Sequence, residues 1–259
     1  MARRHSANSG NHLLSSLGKA DFRLIQADLH QVRLPTNFVI ERPNRSVKNV
    51  YFPEAGIVSV VAASPGGSKI EAGIIGREGM TGISVFLGDG RSASETYVQV
   101  SGQGLGISAQ LLSAAIRKSR TMQSCFLRYA QAFMMQTTHT ALANGRAKID
   151  VRLARWILMA HDRLEEDNVP LTHDFLALML GVHRPGVTNA LHRLRKRSLI
   201  DTAHASVIVL NRRGLEKLAN GMYGVPEAES RRLTGWRGRS GKSEAFPPIS
   251  QRVPGFVSP

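Results

Sequence analysis

Between Leu171 and Arg197 the chain reads LTHDFLALMLGVHRPGVTNALHRLRKR, with Gly181 and Pro185 four residues apart. That pair leaves the segment few ways to fold. Proline has no amide proton and its ring clashes inside a helix, yet it fits the first turn, where amides lack helical partners anyway. The spacing predicts two short helices joined by a tight turn. Thr172 precedes Phe175, Leu176, Met179 and Leu180 at helical intervals, so its hydroxyl can cap the first helix. Gly181 supplies the left-handed residue that ends it, and Val182 tucks into the core. The second helix then starts at Pro185, with His183 or Arg184 as its cap. Two helices so joined are a helix-turn-helix.

At 100° per residue, Val187, Ala190, Leu191 and Leu194 fall within a sector of about 100° that faces a core. Pro185, Thr188, Asn189, His192 and Lys196 point the other way, and Arg193 lies on a flank. Arg184 sits near the buried edge by angle, but at the helix start its length lets it reach outward. The outward set carries hydrogen-bonding and cationic groups without a carboxylate, as contact with bases and phosphates requires. Arg184, Arg193, Arg195, Lys196 and Arg197 make this the sharpest basic run in a chain whose formal net charge is +15. Such a charge favours polyanions. Beyond it, SLIDTAHASVIVLN predicts two strands around His204-Ala205, and Asn211 can cap a last helix, RRGLEKLA. Helix-turn-helix plus hairpin is a winged helix.

Upstream the character differs. Residues 1–11 are polar and are expected to lack order. NHLLSSLGKADFRLIQADL has helical spacing interrupted by Gly18. From Val32 to Ile107, short β-branched runs (FVIE, IVSVVAA, KIEAGII, ETYVQV) alternate with turn residues and predict an antiparallel β domain, a barrel or jelly roll. Ser108 can cap AQLLSAAIRKS. The next helix places Met122, Phe126, Tyr129, Phe133 and Thr137 three or four residues apart, before a stop at Asn144-Gly145. That seam suits either the core of the same domain or a partner helix in a homodimer, and the dimer reading is adopted here. KIDVRLARWILMAHDRLEE begins the next unit with its own apolar side: Ile149, Leu153, Trp156, Ile157, Ala160 and Leu164. The fold class is therefore α+β, with an N-terminal antiparallel β-roll over residues 12–120, a long dimerisation helix over 121–147 and a winged helix-turn-helix over 148–220. Residues 221–259, rich in Gly, Pro, Ser and Arg, are expected to be a disordered basic tail.

Several function classes are disfavoured. A single cysteine, Cys125, excludes an internal disulfide and any four-cysteine metal site within this chain, and its position suggests a buried thiol. No apolar stretch approaches the roughly 18 residues of a membrane span. The N-terminal MARRHSANSGNH lacks the apolar region of a secretory signal, so a cytoplasmic location is expected. GREGMTG lacks the GK[ST] ending of a phosphate-binding P-loop, no HExxH occurs, and His161-Asp162 and His173-Asp174 look like solvated helix pairs. No enzyme, cofactor or metal is expected.

With these residues in place, the chain resembles the Crp/Fnr family of bacterial transcription regulators over roughly residues 12–220. The stretches that carry the likeness are IIGREGMTGISVFLGDGRSASETYVQVSG and LTHDFLALMLGVHRPGVTNALHRLRKRSLI. The resemblance implies a cyclic-nucleotide-binding-like β-roll and a homodimer whose recognition helices enter successive major grooves of double-stranded DNA, about 34 Å apart. It implies that Arg184 reads guanine and that Thr172 and Thr188 touch phosphate, with His183, Pro185, Asn189, His192, Arg193 and Lys196 completing the face. Pro185 and Asn189 stand where many members carry glutamate and arginine, which implies a different operator. RNA polymerase and an unknown small-molecule effector are further candidate partners. The effector pocket implied comprises Gly76, Arg77, Glu78, Gly79, Arg91, Ser92, Ser94 and Glu95. Members that bind cyclic AMP have Gly-Glu-x-Gly where this chain has Gly76-Arg77-Glu78-Gly79, and an Arg-Ser pair where it has Ser94-Glu95. A carboxylate there repels a cyclic phosphate, so control by cyclic AMP is not expected, and the cysteine count excludes the iron–sulfur sensor type. The rival reading is a nucleoid-type protein that binds any DNA sequence through charge.

Overall fold

The computed structural model describes residues 9–239. In chain order the elements are α1 (His12–Ser15), α2 (Lys19–Arg23), β1 (His30–Leu34), β2 (Val39–Glu41), β3 (Asn49–Pro53), β4 (Ile57–Ala63), β5 (Lys69–Ile75), α3 (Ile83–Leu87), β6 (Glu95–Val100) and β7 (Gly102–Ser108). There follow α4 (Ala109–Lys118), α5 (Arg120–Arg146), α6 (Ile149–His161), β8 (Asn168–Pro170), α7 (His173–Leu180), α8 (Arg184–Lys196), β9 (Ile200–Ala203), β10 (Ser206–Val209), α9 (Arg212–Ala219) and α10 (Val225–Thr234).

The expected β-roll is two antiparallel sheets, β1-β7-β3 and β2-β6-β4-β5. Alternation along β4 decides which side chain goes where. Val58 and Val60 point between the sheets, beside Leu34, Ile75, Val98 and Phe133. Ile57 and Val61 point the other way and join Ile74 and Val100 in a core shared with Leu153, Trp156 and Ile157 of α6. The four-stranded sheet is thus sandwiched, with the C-terminal unit docked on its outer face.

Ser108 caps α4 and Ser119 caps α5, each accepting a bond from the amide three residues on. Asn144-Gly145 does not stop α5, which runs on to Arg146 before the chain turns at Ala147. The expected dimer seam needs correction. Met122, Phe126 and Tyr129 are buried in the chain's own core with α1, β3 and β7, Phe133 reaches the β-roll interior, and Thr137 is half-buried with its hydroxyl on the Met134 carbonyl. The helix has two apolar stripes, and the denser one is required to cover the β-roll. The opposite stripe, with Leu127, Met134 and Leu142, is exposed. Cys125 is buried, as expected.

Two segments expected to lack order are ordered where they are described. Asn11 is fully buried, caps α1 and donates to the carbonyls of Pro53 and Gly79 at 2.8 Å. Residues 221–239 turn back after α9, form α10 and bury Pro226, Leu233 and Trp236. The expectations for residues 1–8 and 240–259 lie outside the described residues.

Candidate nucleic-acid interface

The helix-turn-helix follows the local logic of its sequence. Thr172 caps α7, accepting from the Phe175 amide. Gly181 adopts φ 57°, ψ 43°, and its amide turns back onto α7. Val182 donates to the Ala177 carbonyl, closing the turn. The guanidinium of Arg152, from α6, donates to the Leu180 carbonyl, so an orphaned carbonyl at the end of α7 meets a cation. His183 is the N-terminal boundary of α8 and Pro185 lies in the first turn. Val187, Ala190, Leu191 and Leu194 are buried and fix the rotation of the helix.

With that rotation, His183, Arg184, Pro185, Thr188, Asn189, His192, Arg193 and Lys196 are all exposed, and so is Thr172 at the edge of the same surface. Thr188 also bonds the Arg184 carbonyl and lies 3.2 Å from Nδ1 of His173, a contact that ties α7 to α8. β9 and β10 form the wing, with His204 and Ala205 at its exposed tip. β8 pairs with β10 as a third strand that the sequence did not reveal, because it is only three residues long.

Two features of this face were missed. Arg193 makes a two-pronged ion pair with Asp150 at the start of α6, Nε to Oδ2 at 2.8 Å and Nη2 to Oδ1 at 2.5 Å. Arg195 pairs with Asp201 of β9 at 2.9 Å. The face of α8 is free of acids, but its rim is not. Asp150 and Asp201 lie 43 and 6 residues away in sequence from the arginines they hold, so no helical spacing links them.

The residues expected around an effector do not form one pocket. Gly76, Glu78 and Gly79 are packed against the chain's own helices. A Cβ on Gly76 would lie 2.8 Å from the side chain of Arg163, and one on Gly79 would collide with the Tyr129 ring. Glu78 accepts from Nε of Arg163 at 2.7 Å and from the Gly76 amide, and is buried with its partner. Arg77 pairs with Glu165. The second set is engaged elsewhere: Arg91 with Asp89, Ser92 with the Ser94 carbonyl, and Glu95 with Lys69.

His161 and Asp162, which look solvated in sequence, are buried. Asp162 accepts from Arg212 at 2.7 Å and from the Tyr223 hydroxyl at 2.6 Å, and His161 lies between Arg212 and Asp167. Burial holds the His161 imidazole below its ordinary pKa, although Asp167 opposes this. The distant partners come from residues 212–239, and this network stitches them to the end of α6.

A unit of helices α6 to α9 with a β-wing, joined through one long helix to an antiparallel β-roll, defines a two-part protein with a winged helix-turn-helix. Residues 151–218 match the Crp-like helix-turn-helix domain. Among solved structures, FixK2 of Bradyrhizobium japonicum superposes with a TM-score of 0.65 at 14% identity, covering 73% of this chain and 96% of its own. A transcriptional regulator of the Crp/Fnr family from Eubacterium rectale gives 0.64 at 16%, covering 81% and 98%. A regulator of the CRP family from Thermus thermophilus gives 0.61 at 20%, covering 73% and 97%. No curated protein matches the sequence. The chain carries a Crp-like helix-turn-helix domain, and its fold is that of the Crp/Fnr regulators.

Proposed function

We propose that the protein is a sequence-specific, DNA-binding transcriptional regulator of the Crp/Fnr type that acts as a homodimer on a near-palindromic site. The observation that carries the reading is α8 itself. Four buried apolar residues pin it in a winged helix, and its opposite side presents Arg184, Thr188, Asn189, His192 and Lys196 to solvent. Arg184 is assigned to a guanine, a two-pronged contact worth about 1–3 kcal/mol. The dimer is assigned to the exposed stripe of α5. Leu127, Met134 and Leu142 lie there with Gln131, Thr138 and Ala141 between them, at the alternating three- and four-residue spacing of a two-helix seam.

Cyclic AMP has no role in this reading. The 76–79 loop is filled by Arg163 and Tyr129, and the space between the sheets is lined by Val58, Val60, Ile75, Val98 and Phe133, none of which pairs with a phosphate. The effector is a different molecule or state. No helix among the described residues is long and apolar enough to cross a membrane, and the proposed site of action is the cytoplasm.

The +15 charge also suits a nucleoid-type binder indifferent to sequence. Selection from a random DNA pool at raised salt separates the two readings, since charge-only binding weakens steeply on every sequence. A dyad-symmetric motif is expected; a pool without one refutes the regulator. Within that motif, Arg184→Ala removes the preference at one base pair per half-site with little loss of nonspecific affinity. A uniform loss on all DNA contradicts the assigned role.

A further inference from the structure

The turn-back of residues 221–239 has a mechanical consequence. Gly221 and Gly224 adopt positive φ (78° and 111°) and reverse the chain after α9. α10 then lies along α5, whereas α5 and α6 meet one another little beyond their junction at Ala147 and Lys148. Pro226, Glu227 and Ser230 of α10 face Ala132, Phe133 and Gln136 of α5 across a narrow cleft. Arg155 of α6 joins the two sides, donating to the Met222 carbonyl at 2.9 Å and the Gln136 carbonyl at 3.3 Å.

The end of the segment is fastened twice. The buried Trp236 ring lies 5.2 Å from the guanidinium of Arg163, the same group that holds Glu78 of the 76–79 loop. A cation over an indole face is attracted by the ring's quadrupole, more strongly when water is excluded. Arg239 then donates to Asp167 at 3.0 Å and approaches Nε2 of His161 at 2.9 Å. One segment thus touches the long helix, the end of α6 and, through Arg163, the loop of the β-roll.

We propose that residues 221–239 are a conformational strap. Trp236 seated on Arg163 holds α10 against α5 and steadies the Arg163 side chain at the 76–79 loop, and release of Trp236 loosens the junction at Ala147–Lys148. The docking of Trp156 on the four-stranded sheet remains, so the released unit is loosened without unfolding. A signal that disturbs Glu78 reaches the DNA-binding unit through Arg163 without passing along α5.

Trypsin reports on the junction directly, because Arg146 and Lys148 are exposed on either side of Ala147. In the full chain, Trp236→Ala is expected to speed cleavage at these two bonds at least tenfold, with Trp236→Phe close to wild type because a ring remains over Arg163. Hydrogen exchange within the β-roll and within α7 and α8 is expected to stay protected. Unchanged cleavage in Trp236→Ala overturns the proposal, and so does a loss of protection spread over both units, which marks Trp236 as an ordinary core residue. Should Trp236→Ala not fold, Arg239→Ala decides: a two- to threefold rise at the junction supports the strap and no rise overturns it. No DNA enters the measurement, so the result stands apart from the proposed regulator.

Discussion

Glu71 lies fully buried on β5, where the C-terminal unit docks. Its Oε1 accepts from Nε1 of Trp156 at 2.6 Å and its Oε2 lies 2.7 Å from the Ser59 hydroxyl. The same hydroxyl lies 2.6 Å from Oε1 of Gln99. Serine has one proton to give and these are two acceptors. With the Gln99 amide oxygen on this side, a protonated Glu71 satisfies these contacts: its O–H donates to Ser59, and Ser59 donates to Gln99. Burial drives the carboxyl the same way, raising its pKa from 4.5 to about 7 although the contacts with Ser59 and Trp156 and the nearby charges of Arg155 and Arg163 favour the ionised form.

The sign of the pH effect follows. A carboxyl whose folded pKa is raised stabilises the fold fully below its unfolded pKa, and that stability drains away as pH rises through the folded value. Between pH 4.5 and 7 the loss amounts to about 3 kcal/mol, at 1.36 kcal/mol per unit, and above pH 7 it is constant. Glu71→Gln removes this titration while keeping the chain of bonds, since its carbonyl faces Trp156 and its amide donates to Ser59. The difference between variant and wild type cancels the other titrating groups. Near pH 4.5 the two are expected to melt together. At pH 8 the variant is expected to be more stable by up to about 3 kcal/mol, a melting shift of roughly 6–12 °C for a chain of this size. A gap that is the same at both pH values, or a wild type that is the more stable at pH 8, refutes a protonated Glu71.

The rim of the DNA face gives a second expectation. Asp150→Asn releases Arg193 to a phosphate, so the log–log dependence of nonspecific affinity on salt steepens by about 0.9, or about 3.5-fold over a fourfold change in salt; an unchanged slope in filter-binding or anisotropy titrations counts against it. On α5, Met134→Glu sets like charges against each other in the exposed stripe and is expected to convert the proposed dimer to monomers in sedimentation velocity. Met122→Ala, on the opposite stripe, is instead expected to lower stability by about 2–5 kcal/mol and to leave the proposed dimer intact. Sedimentation results exchanged between these two variants restore the seam first expected.

Contacts close in sequence were legible; contacts distant in sequence were not. Thr172, Gly181, Pro185 and the buried stripe of α8 were readable because caps, left-handed turns and helical periodicity act within a few residues. The strands of the β-roll were readable for the same reason. The seam on α5 was misread because periodicity reports that a stripe is apolar and not what covers it, and Met122, Phe126 and Tyr129 face β-strands of their own chain. Residues 221–239 were misread because glycine and arginine dominate their composition, while α10 finds its partner in α5 and Trp236 finds its own in Arg163, just beyond α6. His161 and Asp162 were misread likewise, since Arg212, Tyr223 and Arg239, which justify burying them, lie 50 to 78 residues away in sequence.

The position of α8 therefore has two determinants on opposite sides of the same molecule. A Cβ on Gly181 would lie 3.0 Å from Cδ1 of Ile70 on β5, so the turn that starts α8 rests on the sheet that carries Glu71. In the proposed dimer, the partner copy, through Leu127 and Met134, fixes where that sheet lies relative to its counterpart. The separation of the two recognition helices in that dimer is then set by the α5 seam and by a docking surface that contains an ionisable group, a buried ion pair and the proposed strap. The docking surface holds the two groups for which alternative states are proposed, the proton on Glu71 and the seat of Trp236 on Arg163. In the proposed dimer, a change in helix spacing on DNA is therefore expected to start at that surface, with the α5 seam unchanged.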